Sequence, residues 1–154
     1  MVIHLATDHA GFGHKEVVAA WLKESGFEVV DHGAHDYDEL DDFPDFISKA
    51  AEAVNNGSAE DRGIIFGGSG QGEAMMANSY PRVRAAIFYG GEESLPVLSR
   101  LHNDYNMLAI GARFVDANQA KKIIWAWLHA EALDEEKYRR RNHKMEEITN
   151  LLHS

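Results

Sequence analysis

Five short apolar runs, each followed by a stretch with helical spacing, constrain this chain more than any other feature. The runs are Val2–Ala6, Phe27–Asp31, Ile64–Phe66, Arg84–Phe88 and Met107–Ile110. Strands that alternate with helices build parallel sheets. Parallel neighbours cannot be joined by a tight hairpin, so each connection must carry the chain back to the starting edge. No repeat, linker or low-complexity tract interrupts the alternation.

The segments between the runs carry helical signals. Val17, Val18, Trp21 and Leu22 fall at helical spacing before Gly26. Pro44 suits a first helical turn, ahead of Phe46, Ile47, Ala50, Ala51 and Val54 on one face. Leu95, Leu98 and Leu101 lead to His102-Asn103-Asp104, and Asp116 caps a segment with Ile123, Ile124, Trp127 and Leu128. The tail from Asp134 is helical, with a sparse stripe of Tyr138, Met145, Ile148 and Leu152. The expectation is one α/β domain over residues 1–154, a Rossmann-like three-layer sandwich with a five-stranded parallel sheet and a C-terminal helix.

In such sheets ligands bind beyond the carboxyl ends of the strands. Those ends are Asp8-His9, Gly67–Glu73, Tyr89–Gly91 and Gly111–Arg113, so reactive side chains collect along one edge. The richest is Gly67-Gly68-Ser69-Gly70-Gln71-Gly72-Glu73. Its glycines let backbone N–H groups approach a ligand, and Ser69 adds a hydroxyl. Glu73 can accept a proton but would repel a phosphate, which suggests a turn built around a reacting carbon.

Other readings of these motifs exist. Gly68-Ser69-Gly70-Gln71-Gly72 has dinucleotide-type spacing, and Glu92 lies about twenty residues on, as that pattern asks. Yet Glu73 stands where glycine or alanine is wanted, and the turn follows the third run rather than the first. No Gly-Lys-Ser/Thr follows, which excludes a P-loop. A capping box from Ser69 to Glu73 has one spacer too many unless Gly70 is the cap. Asp8-His9 also reads as a turn pair, and His102-Asn103 as a helix C-terminus. Arg113 suits either an anion or a surface ion pair. His32 and His35 beside Asp36 invite a metal reading, but no further fixed ligands accompany them, and no metal is expected.

Composition narrows the partners. The formal net charge of −10 argues against nucleic acid or an anionic membrane as partner, and no apolar run approaches bilayer length. A chain without cysteine has no disulfide or thiolate metal site and fits a reducing cytoplasm. A phosphate would need a local cation cluster, and Lys137, Arg139, Arg140 and Arg141 supply one. Lys137 and Arg141, four apart, share a helix face.

Taken together, Thr7-Asp8-His9-Ala10-Gly11, Gly67–Glu73, Arg100-Leu101-His102-Asn103-Asp104 and Gly111-Ala112-Arg113 resemble the ribose-5-phosphate isomerase B family, which includes the galactose-6-phosphate isomerase subunits. The resemblance runs through nearly the whole chain. It implies aldose–ketose isomerisation of a sugar phosphate, most simply ribose 5-phosphate and ribulose 5-phosphate, with no metal or cofactor. It also implies homodimers or homotetramers with sites at the subunit interface.

Many members carry a catalytic cysteine where this chain has Gly67; a second, actinobacterial branch uses a glutamate after the glycine turn. On that likeness Glu73 is the base, His102 opens the sugar ring, and Asp8, Ser69, Gly70 and Asn103 contact the sugar. His9, Arg113 and Arg141 hold the phosphate, with Lys137 beside Arg141. The N–H groups of Gly68, Gly70, Gln71 and Gly72, with Ser69, stabilise the enediolate oxyanion. Lys137-Tyr138 replaces the family's common Arg-His, and the loop Phe88–Glu93 is unlike most members. The competing expectations are an allose, galactose or four-carbon sugar phosphate as substrate, a non-catalytic sugar-phosphate sensor, or a nucleotide-dependent oxidoreductase.

Overall fold

Each apolar run of the sequence becomes a strand in the computed structural model, which describes all 154 residues. The order is β1 (Val2–Thr7), α1 (Phe12–Glu24), β2 (Glu28–Asp31), α2 (Pro44–Asn56), β3 (Arg62–Gly67) and α3 (Gln71–Ala77). Then follow β4 (Ala85–Phe88), α4 (Leu95–Asn103), β5 (Met107–Gly111), α5 (Ala117–Leu128) and α6 (Glu136–Leu152). The strands form one parallel sheet in the order β2-β1-β3-β5-β4.

Strand alternation sorts the core into two layers. Ile3, Leu5, Ile64, Phe66, Leu108 and Ile110 pack beneath α1 and α5, with Val18, Leu22, Ile123, Ile124 and Trp127. Ala6, Ile65, Met107 and Ala109 pack beneath α2 and α3, with Ile47, Ala50, Val54, Ala74 and Ala77. Because helices cover both faces, β3 and β5 are buried along their whole length. The caps form as read: Asp116 accepts from the Gln119 N–H at 2.8 Å, and Gly26 turns the chain at φ +89°.

The chain winds outward from β1 to β2, then crosses back over β1 to β3. This reversal opens a crevice between the carboxyl ends of β1 and β3. Lys15 anchors the approach. It is fully buried, and its Nζ lies 2.5 Å from Asp31 Oδ2 at the end of β2. An ammonium held that deep needs such a partner.

Three helices leave expected apolar positions uncovered. Val17 is exposed on α1, and Leu95 and Leu98 are 54 % and 40 % exposed on α4, which instead buries Pro96 and Arg100. Helix α6 buries no residue, and Met145, Ile148, Leu151 and Leu152 all face outward. Helical spacing aligns apolar side chains on a stripe, but it does not supply a surface to cover them.

Candidate active site

The glycine turn is tied down from both sides. Ala112 N–H donates to Gly67 O at 2.8 Å and Arg113 N–H to Gly68 O at 3.1 Å, which lays the loop after β5 along the turn after β3. Gly70 occupies the cap position of α3 at φ +79°, a left-handed conformation that favours glycine. Gly70 is thus the cap, with Glu73 three residues on, but it has no side chain to complete a capping box, and Ser69 Oγ makes only a long 3.4 Å contact with Gln71 N–H. A side chain at Gly72 would meet the Phe43 ring at 2.8 Å and would have to displace it.

Glu73, in the first turn of α3, is 4 % exposed and folds back over Gly67. Burial pushes its carboxyl above the ordinary value of 4.5, and the charge of Asp8 acts in the same direction. Its own backbone N–H and Arg113 pull the other way. The result is a buried carboxylate with raised proton affinity beside an exposed guanidinium. Arg113 makes no ion pair within the chain, and a β-carbon at Gly68 would lie 2.9 Å from its Nη1.

Across the crevice, Thr7 Oγ1 donates to Asp8 O at 2.8 Å and to Phe66 O at 3.2 Å, linking the ends of β1 and β3. Asp8 caps the short turn His9–Gly11 by accepting from Ala10 N–H at 2.9 Å. A side chain at Gly11 would collide with Phe66 and Thr7, which fixes the close approach of this turn to β3. His9 is held by Asp41 from the β2–α2 loop, whose Oδ1 accepts both the His9 backbone N–H at 3.0 Å and the ring Nδ1–H at 2.7 Å. That bond raises the imidazole pKa above 6.5, with the charges of Asp8 and Asp41 adding and burial and Arg113 opposing.

The structure thus brings Asp8, His9, Gly68, Ser69, Gly70, Gln71, Gly72, Glu73 and Arg113 to one edge. It does not bring His102, Asn103, Lys137 or Arg141 there. Helix α4 runs back antiparallel to the strands, so His102 and Asn103 emerge at the strands' amino ends, beside Arg84 and Tyr105. There the His102 ring stacks on Tyr138 at 4.4 Å, and Asn142 donates to His102 O at 3.1 Å. The cation cluster of α6 is largely neutralised locally. Arg139 pairs with Asp134, Arg140 with Glu136, and Lys137 with Glu135, whereas Arg141 is exposed without an ion pair.

Two residues at the edge were given no role from sequence: Thr7, quoted only as part of its motif, and Asp41. The loop Gly33–Asp42 is visibly acidic, but nothing in its composition says which carboxylate reaches His9. Asp8, His9 and Asp41 place ligating atoms within 4.8 Å of one another, but His9 Nδ1 is already bonded to Asp41. A cation there would have to displace that bond. His32, read above with His35, bonds His4 instead at 2.9 Å between ring nitrogens. A polar cavity, about 180 Å³, lies among Arg62, Arg82, Arg84 and Asp104 at the far end of the sheet. Its arginines are partly engaged, Arg84 by Asp104 O and Arg62 by Ala59 O and Asp61 O.

The chain is similar in sequence and in fold to known proteins. The family described as Ribose/Galactose Isomerase matches residues 3–145. Ribose-5-phosphate isomerase B of Escherichia coli is 40 % identical over 129 residues, covering 84 % of each chain. The protein of that name from Mycobacterium tuberculosis is 36 % identical over 130 residues, covering 83 % of this chain and 77 % of its own. Among solved structures, ribose-5-phosphate isomerase B from Clostridium thermocellum superposes with TM-score 0.90 at 39 % identity over 99 % of both chains. The Mycoplasma genitalium protein, solved with bound ribulose-5-phosphate, superposes with TM-score 0.91 at 34 % identity over 97 % of this chain and 96 % of its own.

Proposed function

The chain belongs to the ribose/galactose isomerase family, and from that premise we propose that it interconverts D-ribose 5-phosphate and D-ribulose 5-phosphate through an enediolate, without metal or cofactor. The observation that carries this reading is Glu73, a buried carboxyl of raised pKa at the glycine turn, with Asp8 and Arg113 near enough to act on its charge. On the same reading the protein is a glutamate-base member of the family; what supports this is Gly67, which leaves no thiol at the cysteine position.

Glu73 takes the proton from C2 of the open-chain aldose and returns it to C1, while the proton of the C2 hydroxyl passes to the oxygen on C1, so that the aldehyde becomes an alcohol and C2 a ketone. A base for that step works best when its pKa lies near the working pH, and burial moves Glu73 in that direction. The N–H groups of Gly68, Gly70, Gln71 and Gly72, with the Ser69 hydroxyl, stabilise the oxyanion as charge develops on it. Asp8 and Asn103 hold sugar hydroxyls, while His9, Arg113, Lys137 and Arg141 hold the phosphate. Anchoring that end orients C1 and C2 at Glu73. His102 moves a proton at the ring oxygen so that the cyclic sugar opens.

These roles require a second copy of the chain, in a homodimer or a pair of dimers. His102, Asn103, Lys137 and Arg141 lie with α4 and α6 at the strands' amino ends, too far round the fold to serve Glu73 of the same chain. The uncovered faces of α4 and α6 supply an apolar surface for such a partner.

A coupled isomerase assay over four-, five- and six-carbon sugar phosphates, with EDTA present, tests the assignment. Ribose 5-phosphate should be the best substrate, and Glu73→Gln should lower turnover about 10²–10⁴-fold. Full activity in that variant removes Glu73 from the mechanism. A preference for six- or four-carbon substrates reassigns the sugar. Phosphate binding without turnover of any sugar identifies a sensor.

A further inference from the structure

Asp41 spends one oxygen twice on a single neighbour. Its Oδ1 accepts the His9 backbone N–H at 3.0 Å and the ring Nδ1–H at 2.7 Å. The carboxylate side chain is 8 % exposed, and its other oxygen, Oδ2, is buried with no partner. A buried carboxylate with an orphan oxygen is stable only if a cation lies against it. The His9 ring, 2.7 Å away, becomes that cation when both its nitrogens are protonated. The groups facing His9 are Asp41 from the β2–α2 loop, Asp8 from its own turn, Arg113 from the β5–α5 loop, and the Tyr37 ring edge-on at 6.5 Å.

We propose that Asp41 is a positioning residue for substrate binding: it fixes the ring and charge of His9 so that Nε2–H is offered to the phosphate of the substrate. This rests on the reading above, in which His9 is a phosphate ligand. The geometry adds what that reading lacks, a reason for a histidine to hold its proton more tightly than a free imidazole and so bind an anion in a chain of net charge −10. With Nδ1–H committed to Asp41, the proton on Nε2 is left for the ligand. One carboxylate holding both the backbone and the ring also stops the side chain from swinging away when the site is empty.

The test compares wild type, Asp41→Asn and His9→Asn with ribose 5-phosphate across pH 6–9, together with NMR titration of the His9 ring in the substrate-free protein. Asn keeps the size and an acceptor oxygen but removes the charge. In Asp41→Asn the His9 ring should titrate at lower pH than in wild type. The rise of KM with pH should move down with it, giving a KM on the order of tenfold higher near pH 8. The effect on KM should exceed that on kcat. Coincident ring titrations and KM–pH curves in wild type and Asp41→Asn overturn the proposal. Should His9→Asn raise KM while Asp41→Asn does not, the positioning role alone fails. Should His9→Asn leave KM unaltered at every pH, the phosphate reading of His9 fails and the proposal falls with it. A folded Asp41→Asn, checked by its amide spectrum, excludes collapse of the loop as the cause.

Discussion

The Glu73 carboxylate occupies the space that a side chain at residue 67 would need. A β-carbon built on Gly67 overlaps Oε1 of Glu73, so the absence of a side chain at the end of β3 is what allows the carboxylate to fold back over the turn. Gly67→Ala tests this directly. The colliding atoms are the far end of a flexible side chain, so the fold should survive while the carboxylate is displaced. Turnover should fall about 10²–10⁴-fold, the range for losing a general base. Unchanged turnover would show that the position of Glu73 over Gly67 is irrelevant to catalysis.

Glu73 should also cost stability. Its folded pKa is raised above the ordinary 4.5, so the folded state holds its proton more tightly than the unfolded chain. The carboxyl is then neutral in both states below that ordinary value. The penalty for ionising it inside the fold builds as pH rises from there through the folded pKa. Glu73→Gln should therefore melt at a higher temperature than wild type at pH 7, and the two curves should converge near pH 4. A variant less stable than wild type at pH 7 would mean that the charge is satisfied in place.

The active site drawn across two chains predicts complementation. Glu73→Gln and His102→Asn should each be nearly inactive alone. Mixed through an unfolding–refolding cycle, half the dimers should be hybrids with one intact site each, restoring about a quarter of wild-type activity. No gain on mixing would place both residues in the same site of one chain or remove one of them from the reaction.

The His4–His32 contact should set the acid limit of stability. Burial lowers both pKa values below 6.5, and the charge of His4 lowers that of His32 further. The folded state thus binds fewer protons than the unfolded chain. The stability this pair contributes is present above the ordinary histidine value and is lost as pH falls from there through the lowered pKa values. Denaturant midpoints measured from pH 7.5 to 5 should fall in wild type and fall less in His32→Gln. Parallel slopes would show that the pair does not couple to folding.

The sequence by itself determined the five strands, their parallel sheet and the edge where reactive side chains collect. Those follow from local rules: apolar period, glycine and proline placement, and the handedness of strand–helix–strand crossovers. It also singled out Glu73, because a carboxylate closing a glycine turn stands out against every phosphate-binding pattern. Tertiary structure decided which residues meet. His102 and Lys137–Arg141 look like partners of Glu73 along the chain, yet the antiparallel return of α4 carries them to the opposite end of the sheet. Asp41 looks like one acid among several until the loop is folded, when its Oδ1 lies 2.7 Å from His9. Spacing along a chain dictates which face a side chain takes. Only the packing of one element on another dictates what lies opposite it.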